Sequence, residues 1–360
     1  MKRRMESYGK MVQLLFMNPV FFIGISLLLV FIMTSMVLIL TGAPPFSVYK
    51  QIFLGSLSTG SKFGHVIKAW IPLTLCAIGL LYTFRINLWN IGVEGQMIIG
   101  AVFCTFIIRL FPNSPYPIMI LFLAFFSSMM GGALWALLAG FLKTKGGVNE
   151  IFAGLGLNFV AQGLILWLIF GPWKRPGVAS MSGTEIIPKG LWLSLIERTA
   201  IPPAGLILTF LALFVTYLLL KYTKIGLGLK AIGLNPKASL LFGLKPSLYM
   251  LLAMVFGGGL AGFAGCIQVT GVYHRLIPSI SSNYGYLALL VVMLSNYDIR
   301  LVPIVSFFFS CLNVGSIQLP MVLHIDSSLS GVIQGSLVLT FLALHALHRR
   351  LSTPKEIQPS

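Results

Sequence analysis

The chain has 360 residues, of which 57% are hydrophobic and only 9% are charged. Soluble domains average roughly 45–50% and 25%, so this composition excludes an ordinary cytosolic enzyme and predicts an all-α, polytopic membrane protein. The formal charge of +17 does not indicate nucleic-acid binding, because the basic residues cluster between apolar runs, as membrane orientation requires. The eight acidic residues are scattered, which disfavours paired-carboxylate catalysis, and the chain has no Walker sequence for binding ATP.

The apolar runs predict about ten membrane crossings. The excess of lysine and arginine in the gaps assigned to the inside predicts that both termini are cytoplasmic. The chain then divides into a cytoplasmic N-terminal segment (1–18), a transmembrane domain (19–347) and a cytoplasmic tail (348–360). The basic segment 1–18 fits either a helix lying on the inner surface or a plain anchor. The predicted crossings are 20–41, 70–84, 93–111, 117–141, 151–171, 203–221, 247–270, 284–297, 301–318 and 329–347.

Two loops between these crossings carry distinct patterns. The external loop 171–203 contains several prolines, which favour a compact cap over a flexible tail. In the cytoplasmic loop 221–246, Gly233 offers a helix C-terminus, Asn235 an N-cap and Pro236 the first position of a second helix. That second helix is mostly apolar although it lies outside the membrane, which indicates either a docking surface or a helix resting on the inner leaflet.

Charged and amide side chains interrupt apolar sequence between Phe84 and Gln96. An ionisable residue at membrane depth is costly and by default marks a pathway, while irregular backbone survives there only inside protein or along a watery cavity. We therefore expect an interrupted helix beside a solute path. The same side chains also fit a buried hydrogen-bond network, and a pairing of Glu94 with Arg85 is the favoured structural role for that glutamate.

A weak internal repeat supports two similar halves. Arg85 precedes Gly95 by ten positions, and Arg275 precedes Gly285 by ten. Transporters often bring corresponding interrupted helices of two halves together at the substrate. A second polar signal is a pair of side chains one helical turn apart in an apolar run, which share a helix face. The candidate path residues from all these patterns are Asn87, Asn90, Glu94, Gln96, Asn158, Gln162, Asn283 and Tyr284.

The remaining polar and sulfur-containing residues have simpler expectations. Glu150 follows Asn149 at a predicted helix start, where a carboxylate complements the helix dipole. The four cysteines stand singly in apolar runs, so we expect small core residues and no metal or redox site. Glycines between 257 and 265 are expected to serve close helix packing.

Several of these segments resemble the permease subunits of bacterial ABC importers for nucleosides and simple sugars, within the branched-chain amino acid and ribose permease-like family. The resemblance runs from about Leu40 to Leu319. It is carried by Phe84–Gln96, Gly233–Ala238, Val148–Ile151, Leu157–Asn158, Gly262–Gly265 and Asn283–Gly285.

The resemblance implies a permease in the bacterial cytoplasmic membrane. Its implied partners are a second, paralogous permease, two ATP-binding subunits or one fused ATPase, an external solute-binding protein or lipoprotein, and membrane lipid. ATP and magnesium would bind to the ATPase, so no cofactor is expected in this chain. The residues implied to couple to the ATPase are Gly233, Asn235, Pro236, Lys237, Leu240 and Leu241.

Two other classes of function remain open from sequence alone. An ion-coupled secondary transporter of a small polar solute predicts a membrane-embedded acid acting alone, for which Glu94 and Asp298 are the nearest candidates. A lipid or polysaccharide flippase predicts a larger charged cavity than these few polar residues can make. The apolar cytoplasmic helix disfavours the secondary transporter, which has no need of it.

Overall fold

The computed structural model describes residues 19–40, 42–177, 182–317 and 319–323, with the short pieces 331–332, 335–336, 339–340 and 343. Helices dominate these residues, and no strand occurs among them. The helices are Pro19–Leu40 (α1), Pro45–Lys50 (α2, continued as a π-helix over Gln51–Gly55), Gly60–Arg85 (α3), Val93–Leu110 (α4), Pro117–Thr144 (α5), Glu150–Phe170 (α6), Pro203–Tyr222 (α7), Lys224–Leu234 (α8), Pro236–Leu241 (α9), Pro246–Ile267 (α10, continued as a π-helix over Gln268–Tyr273), Tyr284–Leu294 (α11), Val302–Ile317 (α12) and Leu319–Leu323 (α13).

Six helices within the described residues are long and apolar enough to cross a membrane: α3, α4, α5, α6, α7 and α10 with its π-helical extension. The pair Phe31–Leu40 and Pro45–Gly55 passes the same test but is bent by 118°. The apolar helices α11 and α12 are shorter. An all-helical, multi-pass membrane protein is therefore confirmed, whereas the count of ten crossings stays a prediction. The predicted segment 1–18, the tail 348–360 and most of the crossing 329–347 lie outside the described residues.

Two predicted boundaries were wrong. The crossing predicted at 70–84 begins ten residues earlier, because Thr59 caps the helix by accepting a hydrogen bond from the Lys62 N–H at 3.3 Å. Pro72 lies inside this helix and does not begin it, as is tolerated where neighbouring helices pack around the chain. The crossing predicted at 284–297 ends at Leu294, since Asn296 and Tyr297 adopt left-handed backbone conformations that a helix cannot continue.

Close helix packing by the predicted glycines is confirmed around α10, which contacts α3, α4 and α5. A Cβ atom added at Gly262 would overlap the carbonyl oxygen of Ser128 on α5. The Ser128 hydroxyl lies within hydrogen-bonding distance of the Gly100 carbonyl (2.8 Å) and the Gly262 carbonyl (2.5 Å). Small residues thus bring three apolar helices close enough for side-chain-to-backbone hydrogen bonds between them.

The cysteines are buried and free, as expected for core residues. Two of them are nevertheless neighbours, because Cys104 on α4 and Cys266 on α10 place their Sγ atoms 3.0 Å apart. No local pattern predicts this contact, because the two residues are 162 positions apart.

The described residues of the loop 171–203, which exclude 178–181, pack against the π-helical end of α10 and the residues that follow it. Backbone hydrogen bonds join Thr184 to Leu276, Ile187 to His274 and Leu193 to Thr270. The Trp192 and His274 rings stack with centroids 3.8 Å apart, and burial lowers the pKa of His274.

The chain divides into two units, Leu57–Cys311 and the two terminal parts up to Ser56 and from Leu312. The candidate site lies wholly within Leu57–Cys311. In the other unit, Tyr49 on α2 stacks on Phe31 of α1 with ring centroids 4.1 Å apart. Its hydroxyl lies 2.5 Å from that of Thr34. These contacts fix the bend between α1 and α2.

Candidate solute path and coupling surface

The first helix break runs from the end of α3 to the start of α4. It opens at Asn87, whose left-handed φ of 57° turns the chain out of the helix. Asn87 and Trp89 are exposed, whereas Asn90 and the residues up to Gln96 are buried except for the half-buried Ile91. The break therefore passes from the protein surface into its interior.

Two candidate path residues form a closed pair inside this break. The amide of Asn90 donates to the Gln96 Oε1 at 3.0 Å, and the amide of Gln96 donates back to the Asn90 Oδ1 at 2.8 Å. Each side chain is only 1% exposed. Reciprocal bonding of two buried amides is what a structural hydrogen-bond network predicts, because each group satisfies the other away from water.

Glu94 joins the first break to the second, which comprises residues 274–283 between the π-helical end of α10 and the start of α11. Its Oε2 accepts a hydrogen bond from the Gly285 N–H at 2.8 Å, although 191 residues separate the two. The N–H groups of Asn283 and Tyr286 and the Ser281 hydroxyl lie near enough to stabilise the charge of this carboxylate. Glu94 is 5% exposed, so it caps the N-terminus of α11 from another helix inside the protein. An anion is well placed there, because unpaired N–H groups and the helix dipole both favour negative charge.

The expected pairing of Glu94 with Arg85 was wrong. Both residues are described, and the ion pairs among the described residues are Lys143 with Glu150 and Arg300 with Asp298. The backbone donors of α11 take the place of the arginine. This arrangement requires a glycine at 285, since a Cβ there would lie 2.5 Å from the Glu94 Oε2 and 2.7 Å from its Cα.

Asn158 on α6 holds both breaks. Its Oδ1 accepts from the Gly95 N–H at 2.8 Å, and its Nδ2 donates to the Ile91 carbonyl at 3.0 Å and to the Tyr286 hydroxyl at 3.1 Å. Asn158 is 6% exposed, and these three bonds use its oxygen and its nitrogen. Gln162 lies one turn further along α6 than Asn158. Its amide donates to the Pro278 carbonyl at 3.1 Å.

The order of these contacts along α6 shows that the breaks approach each other from opposite ends. Near the start of α6 at Glu150, a Cβ atom added at Gly154 would lie 2.7 Å from the Gly92 nitrogen of the first break. Asn158 lies eight residues or roughly 12 Å beyond Glu150 and contacts both breaks, and Gln162 lies beyond it against Pro278. The first break therefore contacts the N-terminal part of α6, and the second contacts a more C-terminal part. The two breaks meet at Glu94. The predicted repeat between halves is not itself confirmed, but the two segments it singled out are in contact.

The polar groups around this junction differ in exposure. Asn283 and Tyr286 are exposed, the latter by 37%, and Gln162 is half-buried. Tyr284, in contrast, is only 8% exposed. Asn283 has a left-handed φ of 60°, which turns the chain into α11 and leaves its side chain at the surface. Sequence reasoning missed Tyr286 and Ser281, because a lone tyrosine or serine at an apolar helix start gives no distinguishing signal.

The helix start at Glu150 is confirmed. Asn149 caps α6 by accepting from the Ile151 N–H at 2.8 Å. The Glu150 carboxylate lies in the first turn and pairs with Lys143 at the end of α5, 2.7 Å away. An anion at this position is stabilised by the helix dipole as well as by the lysine.

The predicted coupling segment consists of α8 and α9, which meet at Asn235 as the capping pattern indicated. The Asn235 Oδ1 caps α9 by accepting from the Ala238 N–H at 3.0 Å, and Pro236 takes the first helical position. Lys237 is exposed. Leu240 and Leu241 are 57% and 88% exposed, beside Phe242 at 85%. The C-terminal end of α9 therefore presents an exposed apolar surface.

The first break and the coupling segment are in direct contact. The Asn87 amide donates to the Gly233 carbonyl at 2.6 Å. Gly233 lies so close to the end of α3 that a Cβ atom on it would overlap the Arg85 carbonyl oxygen. Asn87, expected to line the path, is thus placed at the coupling segment, and Gly233 at the break.

Residues 63–342 match the model of a family described as the branched-chain amino acid transport system permease component. The glucose ABC transporter permease protein TsgB13 of Haloferax volcanii is 27% identical over 87% of this chain and 84% of its own length. The nucleoside ABC transporter permease protein NupB of Lactococcus lactis is 24% identical over 79% and 80%. The guanosine ABC transporter permease protein NupP of Bacillus subtilis is 22% identical over 87% and 90%.

The family model covers most of the chain, including both helix breaks and the coupling segment. The three relatives are transport permeases and not enzymes, and the matches cover 84%, 80% and 90% of their own lengths. The chain therefore belongs to the branched-chain amino acid transport system permease family, and it is a multi-pass permease subunit of an ABC importer.

Proposed function

We propose that this permease carries a nucleoside or a simple sugar across the bacterial cytoplasmic membrane, with both of its termini inside. The names of its relatives support this range of solutes, since they include glucose, nucleoside and guanosine permeases. The chain acts beside a second, paralogous permease, with an external solute-binding protein that delivers the solute. Two ATPase subunits, or one fused ATPase, bind ATP and magnesium and hydrolyse the ATP.

The solute passes along the exposed polar face where the two breaks meet. Gln162, Asn283 and Tyr286 offer amide and phenol groups and an aromatic ring there. Such groups suit a neutral, hydroxyl-rich solute, for which a few placed polar contacts fix orientation. The buried residues Asn90, Glu94 and Gln96 hold the shape of this face from behind.

The observation that carries the proposal is the 2.6 Å hydrogen bond from Asn87 to Gly233. It connects the surface on which an ATPase would dock to the first helix break, without any residue between them. A movement of the coupling segment therefore displaces the break directly. The break holds the start of α11 through Glu94, so the displacement reaches the solute face.

Ion-coupled transport has no comparable support. The two acids that it would use both have several donors: Glu94 is held by the start of α11, and Asp298 is paired with Arg300 at 2.7 Å. A proton or sodium carrier needs an acid that changes partners during the cycle.

Uptake by a deletion strain tests the proposal. Cells lacking the chain are supplied with labelled nucleosides and sugars, with and without the chain restored from a plasmid. We expect the chain to restore uptake of at least one of these solutes. Uptake should persist when a protonophore collapses the ion gradients while ATP is maintained, and it should stop when ATP is depleted. Restored uptake that follows the ion gradient and ignores ATP would contradict the proposal.

A further inference from the structure

A cluster of basic and aromatic side chains lies at the end of α7, on the side of the coupling segment and away from the helix breaks. The Lys221 ammonium donates to the Tyr217 hydroxyl at 2.7 Å and lies 5.1 Å and 5.0 Å from the ring centroids of Tyr217 and Tyr222. Arg300, from the turn between α11 and α12, acts electrostatically on Tyr217. Two separate elements thus converge on one exposed position.

Both cations of this cluster are held in place. The two tyrosine rings fix Lys221, as cation–π contacts do. Asp298 fixes Arg300 by accepting from its Nε at 3.1 Å and its Nη2 at 2.7 Å. Arg300 also lowers the pKa of Asp298, so this carboxylate stays ionised and keeps the guanidinium oriented. The Arg300 side chain remains 78% exposed.

The cluster has more hydrogen-bond donors than the described residues accept. The Nη1 of Arg300 takes no part in the bonds to Asp298. The Tyr217 hydroxyl accepts from Lys221. A hydrogen bond between the two phenols would use only one of their two hydrogens. Asp298 offsets the charge of Arg300, and Lys221 leaves the cluster with a net positive charge. Surplus donors and positive charge together match a phosphate, which accepts several hydrogen bonds.

The position of the cluster in the fold indicates which kind of phosphate it binds. Lys221 and Tyr222 are the last residues of α7, which is apolar enough to span a membrane, and Arg300 stands between two apolar helices. These residues therefore lie at the boundary of the hydrocarbon layer, where lipid headgroups are and where tyrosine is favoured. We propose that Lys221, Arg300 and the two tyrosines bind the headgroup of an anionic phospholipid.

Lipid binding to the purified full chain tests this site. Native mass spectrometry compares phosphatidylglycerol with neutral phosphatidylcholine for the native chain and for the variant Lys221→Gln/Arg300→Gln. We expect the variant to bind phosphatidylglycerol at least fivefold more weakly, with phosphatidylcholine binding unchanged. The matched control Lys230→Gln/Lys245→Gln removes the same charge from exposed positions of the coupling loop and should change the affinity less than twofold.

Further arms decide the outcome. Tyr217→Phe/Tyr222→Phe keeps the charge and the rings but removes the phenol donors, so it should weaken phosphatidylglycerol binding. This variant also tests the site if the charge variant does not fold. Inorganic phosphate at the lipid concentration should not displace the lipid. Equal weakening in both charge variants, or displacement by phosphate, would overturn the site. So would unchanged lipid binding with loss of a co-purified ATPase, which would assign the cluster to that partner.

Discussion

Glu94 is the residue on which the geometry of the solute face depends. Its carboxylate accepts a hydrogen bond from the Gly285 N–H at the start of α11, and the nearby Ser281 hydroxyl also favours its charge. The sequence marked Glu94 as a polar residue inside apolar sequence, but its partners were not predictable. Backbone N–H groups 191 residues away leave no trace in the pattern of side chains.

Glu94→Gln should reduce uptake at least tenfold at equal expression. Glutamine has one carbonyl oxygen, and its NH₂ group faces N–H donors that need an acceptor. Each hydrogen bond to a charged group contributes about 1.5–3 kcal/mol. Labelled solute uptake measures the effect, with Glu185→Gln in the exposed external loop as the control. Native uptake by Glu94→Gln would mean that the cap on α11 has no role in transport.

Gly285→Ala tests the contact between the breaks from the other side. The added methyl lies 2.5 Å from the Glu94 Oε2, so one of the two segments has to shift. Overpacking of this kind costs about 1–3 kcal/mol, and we expect a lower midpoint of thermal unfolding together with reduced uptake.

The control for that change is Gly163→Ala on α6, where nothing lies within 4 Å of the added Cβ. Alanine is favoured over glycine in a helix by about 0.8–1 kcal/mol, so the control should unfold at the native temperature or above it. An unchanged midpoint for Gly285→Ala would show that the breaks are not in close contact.

Variants of the amide pair Asn90 and Gln96 distinguish a structural hydrogen-bond network from a lining of the solute path. Asn90→Leu leaves the buried Gln96 amide without its partner, which costs about 1–3 kcal/mol. The double variant Asn90→Leu/Gln96→Leu removes both partners and should be less destabilised than the two single changes added together. Thermal unfolding of the three variants measures this coupling. Native stability with lost uptake in Asn90→Leu would instead place Asn90 on the solute path.

At the scale of elements, local sequence predicted what local chemistry determines. The junction of α8 and α9 followed from Gly233, Asn235 and Pro236, because capping and proline placement act within a few residues. The start of α3 at Gly60 was missed, since Lys62, His65 and Lys68 make its first turns resemble a polar loop. His65 is exposed and the two lysines are half-buried, whereas Gly64, Val66 and Ile67 between them are buried, so tertiary packing covers only one face of these turns.

The contact between the first break and the coupling segment makes its own prediction. Asn87→Gly removes the amide that donates to Gly233 but tolerates the φ of 57°, because glycine adopts left-handed conformations readily. We expect fewer solute molecules carried per ATP hydrolysed, measured with the assembled transporter in proteoliposomes. The matched control is Asn296→Gly, an exposed asparagine with φ of 51°, which should leave the ratio unchanged. A native ratio in Asn87→Gly would contradict direct coupling.

At the scale of the whole molecule, composition and hydropathy were sufficient to predict an all-helical membrane protein. The two helix breaks were also identified, because charge and amides stand out against apolar sequence. Which polar residues are buried and bonded to one another, and which are exposed, was not predictable from the sequence. Asn90 and Gln96 satisfy each other, whereas Asn283 and Tyr286 face outward, and this difference depends on how α6 and α11 pack.

The central claim is that an ATPase docked on α9 drives the solute past the junction at Glu94. The most direct measurement is solute uptake by Leu240→Asp/Leu241→Asp, with ATPase co-purification recorded on the same cells. Both leucines are exposed, so the variant should insert normally, lose the ATPase and lose uptake. Ile186→Asp, an exposed apolar residue of the external loop, should keep both. Native uptake with a normally co-purified ATPase in the leucine variant would contradict the account.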